Sequence, residues 1–366
     1  MSYVCLKCRL TVCYGMPDGL DCGHYARVHG QSDEDRDDVD RRSASTKNVH
    51  DLRRARQRAR RVMGELEDEL IQFLNENNIQ IQGRGDDREK RINEAITRLA
   101  AVKLSNDLQN WLANRRQQTM GRAVRAATDN LQSELGEQIR SGADFGPGEQ
   151  ALNREISAID AGLLYDDDDS LAEEIGNEVT RQIRLGHTNN EPVRSSDPEE
   201  TDIADRVSMV LNDGDTTKRD SAGISGQTKR TKAELIAHDS IQQGYNDAAT
   251  KRYLNNGFRF VVYDAVCDFV TSDLCRRLGE CDGDPVVIDL TETPWLVPPN
   301  HPWCRSGIRP TLNRDERNPV TEDDIADGFL KTVFSTEQYR PSALNVDREL
   351  SPTALQRAAE GNPGGV

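Results

Sequence analysis

RTKAELIAHDSIQQGYNDAATKRYLNNG (residues 230–257) runs directly into FRFVVYDA (residues 258–265), and the two segments differ in their pattern of residues. The first segment predicts a long helix over about 229–255. In the second, Phe258, Phe260 and Val262 alternate with Arg259, Val261 and Tyr263, and this β-branched and aromatic run predicts a strand. The Asn256–Gly257 pair separates the two, as expected where a helix gives way to a turn.

The chain from this strand to Pro310 is rich in cysteine, proline and glycine, which predicts a small, irregular α+β unit. A second strand is expected at Val286–Leu290. The residues that follow, 311–366, are polar and end in EGNPGGV. We therefore expect them to form an extension rather than part of the folded unit.

Upstream of this unit, apolar residues recur at steps of three and four, which predicts a mainly α region. The first helix spans about 49–74 and the second begins near Glu89, with helical pattern continuing to about 139. Because Gly83 and Gly85 lie in the break between them, we expect an antiparallel helical hairpin. Further helices are predicted at about 149–164, 170–185 and 203–211.

The run Asp166–Asp169 precedes one of these helices. Carboxylates there complement the helix dipole, and Asp169 or Ser170 is the expected cap. A calcium loop is the alternative, but the run lacks spaced ligands and a turn glycine. The predicted organisation is a zinc-ribbon-like module at 1–30, an acidic linker at 31–48, a helical domain at 49–228, the α+β unit at 229–310 and the extension at 311–366.

The charge of the chain restricts its function. Its 366 residues carry 63 acidic and 47 basic side chains, a net charge of −16, with 38 arginines but only 9 lysines. Such a field repels nucleic acid and anionic membranes from the surface as a whole. Two explanations stay open: a largely disordered acidic protein, and a folded protein of a salt-saturated cytoplasm, where salt screens the repulsion. The helical periodicity favours the second.

No window of the sequence has 18 consecutive apolar residues, so we expect no membrane protein. The start, MSYVCLKCRL, lacks an apolar signal core, so we expect a cytosolic origin. The eight cysteines form two groups, and clustered cytosolic cysteines bind metal more often than they form disulfides.

The N-terminal group predicts a structural zinc site, because a CxxC pair and a second pair across a loop surround one tetrahedral ion. The proposed ligands are Cys5, Cys8, Cys22 and His24. Cys13 and His29 are possible substitutes, and a redox or unliganded cluster is the alternative. So short a segment has almost no apolar core, and a metal would supply much of its folding free energy.

A basic helix follows this module, and a zinc ribbon with a basic helix is typical of nucleic-acid binding. The candidate nucleic-acid-binding residues are Arg53, Arg54, Arg56, Arg58, Arg60 and Arg61. The alternative is that these arginines pair with acidic residues on neighbouring turns, among them Glu65 and Glu69, or with the acidic linker.

The order Asp264, Cys267, Cys275, Leu278-Gly279 and then PPNHPWCR (298–305) resembles the Mu F-like phage head morphogenesis domain. In that family, the minor head proteins, a helix leads into a strand, a "D…C…C..L.G" segment follows, and "PP.HP.CR" closes the domain. The resemblance covers about 229–310. It departs from the family in the wider spacing of the first two cysteines and in Ser306, which replaces the last cysteine of "CRC".

The second cysteine group adds a second predicted zinc site, because Cys and His from both ends of the unit can staple a small fold. The proposed ligands are Cys267, Cys275, His301 and Cys304, and Cys281 is a possible substitute. A metal-free cluster of packed side chains is the alternative. We thus expect one or two Zn²⁺ ions in the chain.

The resemblance implies a minor head protein of a tailed virus, and the acidity suggests a haloarchaeal host. Such a protein joins the virion, in the head interior or at the portal vertex, after assembly in the host cytoplasm. Its implied partners are the portal protein, the major capsid protein and packaged DNA, without a membrane or a small-molecule substrate. We expect no enzyme, because the sequence has no Walker loop, GxSxG, HExxH or GxGxxG.

Two other functions stay open. The first is a zinc-ribbon DNA-binding regulator that uses residues 1–61. The second is an enzymatic effector, because Mu F-like domains are sometimes fused to toxin domains. The 56 residues after the resemblance are few and polar for a catalytic domain.

Overall fold

A computed structural model describes residues 48–77, 79, 87–135, 147–197, 200–212, 228–267, 271, 273–279, 281, 285–291, 293, 296–300 and 303–311. This part of the chain is mainly helical, with a three-stranded sheet toward its C-terminal end. The predicted fold class, a mainly α chain with a small α+β unit toward the C-terminal end, is confirmed for these residues. Among the described helices, none has the long apolar run that crossing a bilayer requires.

The first helices form the predicted antiparallel hairpin. Helix α1 spans Val49–Asn77; helix α2 spans Asp87–Lys103 and continues through a π-helical turn, Leu104–Gln109, into α3, Asn110–Leu135. As residue numbers fall along α1, those of the contacting residues on the second arm rise, so the two arms are antiparallel. Lys103 binds Glu65 and Glu69, Arg58 contacts Asp107, and Arg115 and Arg122 both bind Asp51.

The described part of the chain continues with further helices. Helix α4 spans Pro147–Ala161 and ends in a π-helical turn, Gly162–Asp166; α5 spans Leu171–Thr188, α6 Ile203–Leu211 and α7 Lys229–Asn255. The cap of α5 is Ser170, whose hydroxyl accepts a hydrogen bond from the Glu173 amide, as predicted. Helix α7 is buried on almost every side, because α1, α3 and α4 pack around it.

The sheet forms around the strand that the sequence predicted. Strand β1, Phe260–Asp264, lies between β2, Val287–Asp289, and β3, Gly307–Pro310, and both neighbours are antiparallel to it. A short helix, α8 (Asp273–Leu278), connects β1 to β2. Strand β3 was not expected from the sequence.

Two hydrophobic cores hold the described elements together, and a third, small apolar cluster lies between α3 and α7. The larger one joins α1, α2, α5 and α6 to the first half of α7, and the smaller one joins the ends of α3 and α7 to the sheet. Helix α7 thus contributes to both cores, with Ile241 in the first and Tyr253 in the second. The first half of α7, which follows the predicted boundary at residues 228 and 229, thus packs in the same core as α1.

Candidate functional site

Two cysteines meet in the smaller core. Cys275 lies in α8 and Cys304 precedes β3; both side chains are buried, and their Sγ atoms are 3.8 Å apart. Tyr263 of β1 lies between them, with its Oη 3.2 Å from the Cys275 sulfur and 3.8 Å from that of Cys304. The Ser306 hydroxyl donates a hydrogen bond of 3.1 Å to the Cys275 sulfur.

The surroundings of Cys304 favour a protonated thiol. Burial raises the pKa of the Cys304 thiol well above its ordinary value, and Cys275 raises it further. The buried Tyr263 hydroxyl likewise has a raised pKa, so it stays neutral. The Cys304 thiol is therefore protonated, and a cation bound there would have to replace its proton.

The geometry of the pair fits two ligands of a zinc ion. Zinc–sulfur bonds of about 2.3 Å in a tetrahedron separate two sulfurs by roughly 3.8 Å, which is the distance between Cys275 and Cys304. A zinc ion would hold both sulfurs as thiolates and close the gap between α8 and the segment before β3. His301, the predicted third ligand, lies outside the described residues.

The fourth predicted ligand has a different partner. Cys267 forms a disulfide with Cys281, so neither sulfur is a free thiol. The structure therefore divides the four C-terminal cysteines into a disulfide and a thiol pair. Within the described ranges, no group of three or more His, Cys, Asp or Glu side chains surrounds a common point. The N-terminal candidates Cys5, Cys8, Cys22 and His24 lie outside those ranges.

The six candidate arginines of α1 do not share one environment. Arg53, Arg54 and Arg61 are exposed. The Arg58 Nε atom donates a hydrogen bond of 3.0 Å to the Asp107 carbonyl, so this side chain serves the hairpin. Arg60 binds both carboxylate oxygens of Glu234 in α7, at 2.6 and 2.9 Å. The structure thus supports the pairing alternative for Arg58 and Arg60, although the partners are not those considered from the sequence.

Arg56 has an aromatic neighbour instead. Its guanidinium carbon lies 5.9 Å from the centre of the Trp303 ring, within the range of a cation–π contact. Trp303 also packs on His238 of α7, with ring centres 5.3 Å apart in an edge-to-face arrangement. The PPNHPWCR segment thus reaches α1 as well as the sheet, a contact that sequence spacing alone does not reveal.

A buried ionic network joins three helices beside this region. Arg116 of α3 is fully buried and donates hydrogen bonds of 2.5 Å to both Asp160 of α4 and Ser240 of α7. Its Nε atom donates to Asn153 at 2.8 Å. Gly244 makes room for it, because a Cβ there would lie 2.5 Å from the Arg116 Cγ. The network fixes α7 against α3 and α4.

We compared the chain with known proteins. No protein family, curated protein or solved structure matches it.

Proposed function

We propose that the chain is a minor head protein of a tailed virus, which acts at the portal vertex or inside the head during head assembly, DNA packaging or ejection. It acts by binding rather than by catalysis. Its partners are the portal protein and the major capsid protein, and packaged DNA is a third. The host is a haloarchaeon, in whose cytoplasm the chain is assembled into the virion.

One observation carries this proposal: three of the residues that resemble the Mu F-like domain lie together in the smaller core. Cys275, Leu278 and Cys304 are all buried there, and Asp264 at the end of β1 is buried beside them. Gly279 allows this approach, because a Cβ on it would lie 2.3 Å from the Ala265 Cβ. The motif residues thus have a common structural role, which is the behaviour expected of a domain signature.

The zinc prediction belongs to the same proposal. Cys275 and Cys304 would hold the ion, with His301 as the predicted third ligand. The ion would stabilise a unit whose sheet has only three short strands. The N-terminal module, with Cys5, Cys8, Cys22 and His24, would hold the second ion.

The regulator alternative requires residues 1–61 to act apart from the rest of the chain. Against this, Leu52, Ala55 and Ala59 of α1 are buried in the same core as Ala237 and Ile241 of α7. The basic helix is therefore part of the helical body. This packing favours the structural protein over the separable DNA-binding arm.

Co-purification tests the proposal. The affinity-tagged full-length chain, produced in cells that make the virus encoding it, should retain the portal and major capsid proteins. Gly279→Ala should weaken this retention, because it forces α8 away from Ala265. Gly64→Ala is the control, because a Cβ there meets no atom within 4 Å. Retention of DNA or transcription proteins without either head protein would contradict the proposal.

A further inference from the structure

Four arginines lie together where α1 meets the PPNHPWCR segment. Arg53, Arg56 and Arg60 recur at steps of three and four residues, so they share one side of α1. Arg305 lies in the segment before β3, close enough for its charge to act on Arg56. Burial lowers the pKa of Arg56; Glu234 opposes this, but the positive charges of Arg60, Arg305 and Arg53 lower the pKa further. We call Arg53, Arg56, Arg60 and Arg305 the arginine cluster.

The three arginines of the cluster on α1 carry more positive charge than Glu234 balances. Glu234 acts on Arg56, and Arg60 occupies both of its carboxylate oxygens, while Arg230 lies 3.4 Å from one of them. Within the described ranges, Arg53 and Arg56 have no ion pair. In a chain with 63 acidic residues, this excess concentrates positive charge in one place, and an anion bound there would relieve the repulsion.

Trp303 and its neighbours hold the cluster in place. The Trp303 backbone has a φ of 63°, in the left-handed region that a bulky residue rarely adopts, which is typical of functional positions. The carbonyl of Ser306 accepts hydrogen bonds from Gln242 at 2.5 Å and from Asn246 at 3.2 Å, both in α7. The segment carrying Trp303 and Arg305 is therefore anchored, and Arg56 packs on a fixed ring.

We propose that the arginine cluster binds the phosphodiester backbone of a nucleic acid. Guanidinium groups match phosphate oxygens with two parallel hydrogen bonds. The row from Arg53 to Arg60 covers about 10.5 Å of helix axis at 1.5 Å per residue, which is the rise of about three nucleotides of one strand. A row of this length suits a polymer of phosphates rather than a single anion. The choice of DNA as the nucleic acid rests on the proposed function.

Glu234 acts as a built-in competitor in this site. Its carboxylate binds Arg60, so a phosphate must either displace the carboxylate or bind without Arg60. Removing its charge frees Arg60 for the ligand. The site thus predicts opposite effects for two substitutions at neighbouring positions: Arg56→Gln weakens DNA binding, and Glu234→Gln strengthens it.

Fluorescence anisotropy of a labelled DNA duplex with the purified full-length chain tests this site. The KCl series begins at the lowest concentration at which circular dichroism retains the helical signal. Three phosphate contacts predict a slope of log K against log[KCl] of about −2.7. Arg56→Gln should reduce this slope by about 1 and lower the affinity several-fold. Glu234→Gln should raise the affinity several-fold.

Arg98→Gln is the matched control, because it removes one exposed arginine from α2, away from the cluster. It should leave both the slope and the affinity unchanged. If Arg56→Gln lowers the helical signal, Arg53→Gln replaces it, because Arg53 is exposed and the same loss of slope is expected.

Three results would overturn the site: no DNA binding at the start of the series, an equal loss with Arg98→Gln, or displacement of DNA by polyglutamate at a lower charge concentration than by unlabelled DNA. The last result would assign the cluster to an acidic protein. DNA binding by a chain that is absent from virions would instead contradict the proposed function and leave the site intact.

Discussion

The replacement Asp160→Asn tests whether the buried network between α3, α4 and α7 holds the helical body together. Asp160 accepts hydrogen bonds from Arg116 at 2.5 Å and from Ser240 at 2.9 Å. Both charged side chains are almost completely buried, at 0% and 3% exposure. An asparagine keeps the shape but leaves the Arg116 cation without its counter-charge.

Breaking a buried ion pair costs about 3–5 kcal/mol. We expect the lower end, about 3 kcal/mol, because Asn153 and Ser240 still accept hydrogen bonds from Arg116. Arg116→Met removes the other partner, and the double variant leaves no unpaired charge. The sum of the losses of unfolding free energy in the two single variants should therefore exceed the loss in the double variant by about 2 kcal/mol or more.

Urea unfolding followed by circular dichroism measures these free energies. Because the pair is buried, its coupling should be the same in dilute and in concentrated KCl. The exposed pair Lys90–Glu94, 4.0 Å apart, is the control, and the cycle of Lys90→Met and Glu94→Gln should give a coupling below about 0.5 kcal/mol. Additive losses for Arg116 and Asp160, or a coupling that disappears in salt, would refute the buried network.

Three further predictions concern the cysteines, the loss of folding stability at acidic pH and a contact between two helices. Peptide mapping without reduction should find Cys267 linked to Cys281, with Cys275 and Cys304 as thiols or metal ligands; a Cys275–Cys304 disulfide would contradict the structure. Burial raises the pKa of Glu174, but hydrogen bonds from Lys229 and Lys232 outweigh this and hold it below its ordinary value. The pairs therefore stabilise the fold above the ordinary glutamate pKa, and this stability is lost as the pH falls through the lowered pKa. The free energy of unfolding of Glu174→Gln should depend less on pH in that range. An unchanged pH dependence would count against the ion pairs of Glu174 with Lys229 and Lys232. Gly244→Ala should cost about 1–3 kcal/mol in urea unfolding, because its Cβ would overlap Arg116; Gly64→Ala should gain about 0.5–1 kcal/mol, and equal effects would contradict the packing.

The helices were predictable because each has a buried side. In α1, residues such as Leu66 and Leu70 recur at steps of four and are fully buried. Strand β1 was predictable from its β-branched and aromatic run. Strand β3 was not, because its four residues begin with glycine and end with proline, and pairing with β1 rather than local preference forms it.

The site was predictable only in part. PPNHPWCR marked Cys304, and the segment with Cys267, Cys275 and Leu278-Gly279 marked Cys275, but four cysteines allow three pairings and spacing does not choose among them. Tyr263 and Ser306 reach the pair through the fold, which a single sequence does not display. The burial of Arg116 was not predictable, because an arginine in a helical pattern usually faces solvent. It is buried because Gly244, 128 positions later, leaves space for its side chain.

Mass spectrometry of purified, DNA-filled virions tests the central claim, that this chain is a minor head protein. Its peptides should be present in the particles at a low copy number relative to the major capsid protein. Their absence from the particles, with the chain abundant in the infected cytoplasm, would contradict it.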